Sequence, residues 1–421
     1  MPTTAVDGTS CPAPSPAVAA RGDRRSVLAL LAPGQGSQAP GMLAPWLELP
    51  GVEARLRWLS AVAGLDLVRL GTAADAEEIR DTAVTQPLLV ATALAAAAEL
   101  ELPEGASDVA TAGHSVGELA AAALAGVLSP EAAVALARAR GREMAAACAL
   151  APTGMSAVLG GDPDAVVAGI EALGLTPANR NGAGQVVAAG GTDALGELSA
   201  DPPAGAKVRP LAVAGAFHTA YMAPAEEALA AVAGGIAPGD PRLLLLSNAD
   251  GTAVHSGAEV VKRLVHQVTR PVRWDLCQAT LRDLGVTALV ELPPAGTLAG
   301  LARRELREVE IVAVTTPDDL AAARALITRT SHGGQGEHTP DWRVVVAPAG
   351  GTFVPDGLAE GTRVSAGTGL GIVRTKREDL RVSAGYDGLL AEWLAQDGDL
   401  VDPGEPLARL VPVSAEQEDS E

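Results

Sequence analysis

Aromatic residues are scarce: five Trp, two Tyr and two Phe in 421 residues, or 2% of the chain. The core must therefore be aliphatic, and 48% hydrophobic residues suffice for a large one built from Ala, Val and Leu. Lysine is rarer still, at Lys207, Lys262 and Lys376 only, and acids outnumber bases by 51 to 31, a net charge of −20. That balance argues against nucleic acid as a partner, since phosphate binding needs a concentrated basic surface. An anionic small molecule needs much less, a single placed Arg or a helix N-terminus. The three cysteines, Cys11, Cys148 and Cys277, are scattered and form no CxxC pair. A disulfide framework and a structural zinc site are both disfavoured. No apolar run approaches the roughly 18 residues of a spanning helix, and residues 1–25 lack the charged-then-apolar order of a signal peptide. A soluble, cytoplasmic protein without membrane association is expected.

At roughly 100–200 residues per domain, 421 residues predict two or three domains. After a disordered tail (1–25), Ser26–Ala32 reads as a short buried strand. A helical region follows to about residue 100, then a strand at Asp108–Ala112 and helices from Gly113 to about Ala125 and over Pro130–Ala149. This alternation predicts an α/β core with a parallel sheet over 26–152 and 214–328. Within it, residues 153–213 show a βαββαβ-like spacing, the mark of an inserted split-βαβ subdomain. Further strands are expected at Leu243–Ser247, Ala288–Leu292 and Ile311–Val314, with helices at Ala258–Gln267 and Trp274–Leu284. Residues 329–341 are polar, Gly-containing and aperiodic, and read as a linker. Short strands punctuated by Gly, Pro and Asp then predict a small all-β domain over 342–413, followed by an acidic tail (414–421).

Gly113-His114-Ser115-Val116-Gly117 fits the G-x-S-x-G nucleophile elbow, with a strand before it and a helix after. The turn would present Ser115 in a strained backbone, and the helix beginning at the serine would favour an oxyanion. The bland alternative is an ordinary strand–helix turn that contains a serine. A serine nucleophile needs a base. Of six histidines, His332 and His338 fall in the linker, His255 in a Gly/Ser turn, and His114 must point away from its neighbour. His266 lies on a helix of exposed character. His218, after Gly215-Ala216-Phe217, is the best placed, though a structural histidine would fit the same spacing. Gly34-Gln35-Gly36-Ser37-Gln38-Ala39 also matches a dinucleotide fingerprint, with Glu53 about 20 residues on. Pro40 and Gly41 interrupt the helix that such a site requires, and that reading is weak.

Taken with Gly34–Gln38, Gly113–Glu118 and Gly215–His218, the stretches Arg140-Gly141, Asn179–Val186 and Gln267 followed by Pro271-Val272-Arg273-Trp274 give a close resemblance. Residues 26–327 resemble the malonyl-CoA:acyl carrier protein transacylase family. The resemblance implies an α/β-hydrolase-like core with a ferredoxin-like insert. It implies ping-pong transfer of malonyl from malonyl-CoA to the phosphopantetheine thiol of acyl carrier protein, in fatty-acid or polyketide synthesis. Ser115 would be the nucleophile, His218 its base, and the carbonyl of Gln267 would orient the imidazole. Backbone N–H groups of Gln35 and Val116 would form the oxyanion hole, and Arg140 would pair with the malonate carboxylate while Arg138 and Arg142 stay on the surface. Phe217 fits a malonyl-type pocket. No cofactor or metal is required, and a monomer is expected. Because the carrier is itself acidic, docking would need a local basic patch, such as Arg303, Arg304 and Arg307, or Lys207 and Arg209.

Residues 342–413 lie outside that resemblance and look like a biotinyl/lipoyl-type barrel, from Val346–Phe353, Gly388–Leu390 and Gln396–Leu407. Such domains carry an attachment lysine at a hairpin turn, here Lys376 within Arg374–Glu378. The usual Met-Lys-Met or Asp-Lys-Ala surroundings are missing, which argues against covalent biotin or lipoate at Lys376 and for an unmodified contact domain. Two other functions compete with malonyl transfer. A serine thioesterase or acyl hydrolase shares the elbow and the histidine but admits water. A non-enzymatic scaffold would leave the nucleophile, base and arginine without a role.

Overall fold

The structure, a computed structural model, describes residues 27–102, 109–333 and 343–412. The tail 1–25, most of the stretch read as a linker and the acidic tail fall outside the described residues, as do Ser26 and Asp108. The chain divides into two compact units, Met1–Gly334 and Gln335–Glu421.

The first unit runs β1 (Val27–Ala32), α1 (Val52–Ala63), α2 (Leu67–Thr72), α3 (Thr82–Ala97), β2 (Val109–Gly113), α4 (Gly117–Leu124) and α5 (Pro130–Cys148). It continues β3 (Thr153–Gly160), α6 (Pro163–Ala172), β4 (Thr176–Gly182), β5 (Gln185–Gly191), α7 (Thr192–Ala200) and β6 (Ala206–Pro210). It closes with α8 (Ala223–Ala233), β7 (Leu244–Leu245), α9 (Gly257–His266), β8 (Val272–Arg273), α10 (Trp274–Asp283), β9 (Val286–Glu291), α11 (Thr297–Glu305), β10 (Glu310–Ala313) and α12 (Leu320–Gly333).

Five strands form a parallel sheet in the order β10-β9-β1-β2-β7. β1 reads VLALLA without alternation because helices cover both faces: Leu28, Leu30 and Ala32 enter one core cluster, Ala29 and Leu31 the other. α3 is almost wholly buried against α5, so its Ala-rich sequence carries no polar face. Asp81 caps α3 through the Ala83 N–H, and Ser129 caps α5 through Ala132, with Pro130 in the first turn. These caps fix where α5 starts, and hence which of its arginines turns inward.

The segment β3-α6-β4-β5-α7-β6 folds as an antiparallel sheet ordered β6-β3-β5-β4, and β8 adds parallel to β4. β4 carries no strand signal in its sequence, TPANRNG; its place comes from pairing with β5 and β8. The last strand of the segment, β6, stops at Pro210, which has no N–H to extend a ladder, short of the boundary expected at 213. Helix α8 also lies where no element was expected. Residues 329–333, read as the start of a linker, continue α12: Thr330 is buried and its hydroxyl bonds the Leu326 carbonyl at 2.8 Å, while Arg329 pairs with Glu310 at 2.7 Å. Among the described residues, no helix is long and apolar enough to cross a membrane.

The second unit holds β11 (Arg343–Val346), β12 (Gly351–Pro355), β13 (Arg363–Val364), β14 (Gly369–Arg374), β15 (Asp379–Ser383), β16 (Gly388–Trp393), β17 (Leu400–Val401) and β18 (Pro406–Pro412). They make two antiparallel four-stranded sheets, β11-β18-β16-β13 and β15-β14-β12-β17. Advancing every strand by four places turns the first order into the second, so the two halves of the unit repeat one topology. Its core gathers Phe353, Leu370, Val373, Leu390, Leu407 and Leu410, all fully buried. Lys376 sits in the tight turn joining β14 to β15, closed by the Thr375 N–H to the Glu378 carbonyl at 3.0 Å.

Candidate active site

The turn between β2 and α4 carries Ser115 at φ 54°, the left-handed region that a residue with a Cβ rarely occupies. Two glycines make this bend possible. A Cβ on Gly113 would overlap the carbonyl of Gly117, and one on Gly117 would overlap the Ala32 carbonyl of the neighbouring strand. Asn248, fully buried beyond β7, braces the bend: its Oδ1 accepts from the Ser115 N–H at 2.8 Å and its Nδ2 donates to the Gly113 carbonyl at 2.8 Å. α4 begins at Gly117, two residues past the serine, rather than at the serine as expected.

The loop after β6 brings His218 across to the bend, also at positive φ, 61°. Its Nε2 lies 2.8 Å from Ser115 Oγ and its Nδ1 lies 2.8 Å from the Gln267 carbonyl oxygen. A carbonyl can only accept, so Nδ1 carries the proton and Nε2 presents a lone pair to the hydroxyl. Burial, reinforced by the Arg140 charge, pushes the imidazole down to about 3, so it is neutral at physiological pH. The pair has the geometry and protonation of a hydroxyl next to a competent base.

Arg140 on α5 is almost completely buried. Its Nη1 donates to Gln86 Oε1 at 2.8 Å, and its Nη2 to Gln267 Oε1 at 2.9 Å and to Ser115 Oγ at 3.3 Å. Burial lowers its pKa to about 10, with Glu118 opposing the shift, so the guanidinium stays charged. Arg142 is exposed, but Arg138 departs from the surface role expected of it: it is half-buried and bonds the Ala83 carbonyl at 2.9 Å.

Gln35 lies in the turn after β1, its side chain bonded to Thr82 at 3.2 Å. Among the described residues the backbone N–H groups of Gln35 and Val116 have no protein acceptor, which leaves them available to an incoming oxygen. Ser115, His218, Arg140 and Gln35 open onto one cavity of about 570 Å³, with Phe217 on its wall and Arg304 at its lining. The Gly34–Ala39 segment makes turns, not a helix start, and α1 begins only at Val52; the dinucleotide reading fails. His114 points away as expected, bonded through Nε2 to Asn181 Oδ1 at 2.9 Å and edge-on to Trp274. His266 is engaged elsewhere, with Glu226 at 2.6 Å. Lys376 belongs to the second unit.

Two residues of this constellation escape sequence reasoning: Asn248 and Glu118. Both oxygens of the buried Glu118 carboxyl accept, one from the Asn248 N–H at 2.6 Å and the other from Gln267 Nε2. Burial pushes Glu118 up to about 8, against the pull of those bonds and of Arg140. The one available signal was a Glu at the start of a helix whose other residues are almost all Ala and Leu.

A part-buried serine hydroxyl against a buried imidazole on a strand–turn–helix elbow, with a buried arginine beside them, is the site of an acyl-transferring class of protein. Residues 30–329 match the acyl transferase domain family. The malonyl CoA-acyl carrier protein transacylase of Mycobacterium tuberculosis is 60% identical over 296 residues, covering 70% of this chain and 98% of that protein. The Escherichia coli protein of the same name is 34% identical over 305 residues, 71% of this chain and 99% of its own length. Among solved structures, that of MCAT from Mycobacterium tuberculosis aligns with TM-score 0.69 at 59% identity, covering 71% of this chain and 99% of that one. A malonyl-transacylase solved in complex with its type II PKS acyl-carrier protein aligns with TM-score 0.66 at 32% identity, covering 71% and 99%. The chain belongs to the malonyl CoA-acyl carrier protein transacylase family.

Proposed function

We propose that this chain transfers malonyl from malonyl-CoA to the phosphopantetheine thiol of an acyl carrier protein, in fatty-acid or polyketide synthesis. In the first half-reaction Ser115 Oγ bonds to the thioester carbonyl carbon while its proton passes to His218 Nε2. The carbon–sulfur bond then breaks and CoA leaves as the thiol, taking that proton. In the second half the carrier thiol gives its proton to His218, its sulfur attacks the malonyl-Ser115 ester, and Ser115 regains a proton as the ester bond breaks. The Gln35 and Val116 amides hold the oxyanion, and the Gln267 carbonyl keeps the imidazole in its working tautomer.

The observation that carries this reading is a buried, charged Arg140 whose Nη2 is 3.3 Å from the nucleophile. A fixed guanidinium one acyl length from the ester selects acyl groups that end in a carboxylate. Arg303, Arg304 and Arg307 supply a basic patch for the acidic carrier, supported by Arg304 at the cavity lining. The β3–β6 segment is read as a ferredoxin-like insert in an α/β-hydrolase-like core, on the strength of its sheet order. The second unit is read as a biotinyl/lipoyl-like barrel serving protein contact, its Lys376 unmodified; its repeated topology and hairpin lysine support the likeness. The chain works as a cytoplasmic monomer without cofactor.

The test is a trap: labelled malonyl-CoA is added, the reaction quenched, and label sought on the protein. Label on Ser115 that passes to holo acyl carrier protein, and is absent in Ser115→Ala, is the expected result. Label released as free malonate at the rate of CoA release would replace transfer by hydrolysis.

A further inference from the structure

Glu118 lies in the first turn of α4, is 5% exposed, and does not line the cavity, so it cannot touch an acyl group there. Through Gln267 it is nevertheless connected to Ser115, Arg140 and His218. Its Oε2 accepts from Gln267 Nε2, and the same amide nitrogen reaches the Ser115 carbonyl at 3.1 Å and Asn248 Oδ1 at 3.3 Å. Three acceptors therefore surround one end of the Gln267 amide, while Arg140, a donor only, faces the other end at 2.9 Å. Turned over, the amide would set its oxygen against three oxygens and its NH₂ against a guanidinium. Glu118 is the one of the three that accepts on both of its oxygens, one from this amide and one from the Asn248 N–H. Through its main chain, Gln267 also holds the His218 ring.

We propose that Glu118 is a positioning residue that locks the Gln267 side chain with its oxygen toward Arg140, and so sets the guanidinium that reads the acyl carboxylate. This rests on the malonyl-transfer reading. Both Glu118 oxygens accept, so an amide at this position must face one of its two partners donor to donor. An amide turned to keep the Asn248 N–H bond sets its NH₂ against the Gln267 amide, so the damage reaches Arg140 through the Gln267 side chain, whereas the His218 contact is to main chain and survives.

Glu118→Gln is therefore expected to raise KM for malonyl-CoA about tenfold, the size of one lost charge-assisted bond, with kcat and the rate of Ser115 acylation by acetyl-CoA within about threefold of wild type. Gln267→Met, which keeps the volume and removes both amide atoms, should raise KM for malonyl-CoA by a similar factor, and adding Glu118→Gln to it should raise that KM no further. Thermal unfolding identifies a variant that has merely lost its fold; Gln267→Met then carries the test alone. Equal losses on malonyl-CoA and acetyl-CoA, or effects of the two substitutions that simply add, overturn the inference. A wild-type chain that takes no malonyl from CoA overturns the transfer reading and this inference together.

Discussion

The two units differ most in what they bury. Among the described residues, every buried polar or charged side chain, from Thr82 to Thr330, belongs to the first unit; the core of the second is apolar throughout. Burying a polar group costs free energy unless it is bonded, and burying a charge costs more. The first unit meets that cost by bonding such groups to one another: Arg140 to Gln86 and Gln267, Gln267 to Glu118, Asn248 to Ser115. Glu291 is a simpler instance, its carboxylate accepting three N–H groups at the start of α11. Among its described residues the second unit shows no buried polar side chain to be met in this way.

The contrast can be broken most severely at the base. His218→Ala should lower malonyl transfer by about 10⁴-fold with little change in melting temperature. In the wild type, a group with an ordinary pKa of 6.5 held near 3 binds no proton between those values, so kcat/KM should keep no acid limb near 6.5. Over the same window the unfolded chain takes up the proton and the native one does not, so this group makes stability fall as pH drops from 6.5 toward 3. A transfer rate that halves near pH 6.5 would contradict the assignment. Next in size, Phe353→Ala should destabilise the second unit by about 3–5 kcal/mol. Hydrogen exchange across 343–412 in the full chain would read that loss, while malonyl loading of Ser115 stays unchanged. Arg140→Ala should leave Ser115 acylatable but reduce the malonyl-over-acetyl preference by about a hundredfold, read by competitive loading. The smallest effect is expected at Lys376→Ala: intact mass shifting by the side chain alone, and unaltered transfer. A biotin or lipoyl increment lost in that variant would show that the second unit's surface does carry chemistry.

The units also differ in how much of them the sequence discloses. The pairing of Ser115 with His218 was legible because a steric requirement leaves a local signature: two glycines flanking a serine, and a histidine in a loop after a strand. Arg140 and Gln267 were legible only through family resemblance. As bare residues they read as a helix arginine and a surface amide. Asn248 and Glu118 were missed because their partners lie 133 and 149 positions away, respectively, where no periodicity can register them. The strands β4 and β17 owe their places to pairing: Thr176–Gly182 is turn-like in composition and Leu400–Val401 is two residues long, so partner strands rather than propensity decide both. The turn at Lys376, by contrast, was expected from the resemblance to biotinyl/lipoyl-type domains, and a tight turn joins β14 to β15 there.

The repeated topology of the second unit has one further consequence. β11 and β18 are paired neighbours, with Arg343 opposite Leu410, so this unit's own two ends meet. Shifting the numbering by four strands exchanges that junction with the β14–β15 hairpin. The second unit taken by itself could thus be opened beside Lys376 and joined from the end of β18 to the start of β11, and the resulting circular permutant would retain every strand pairing but the hairpin's own closure.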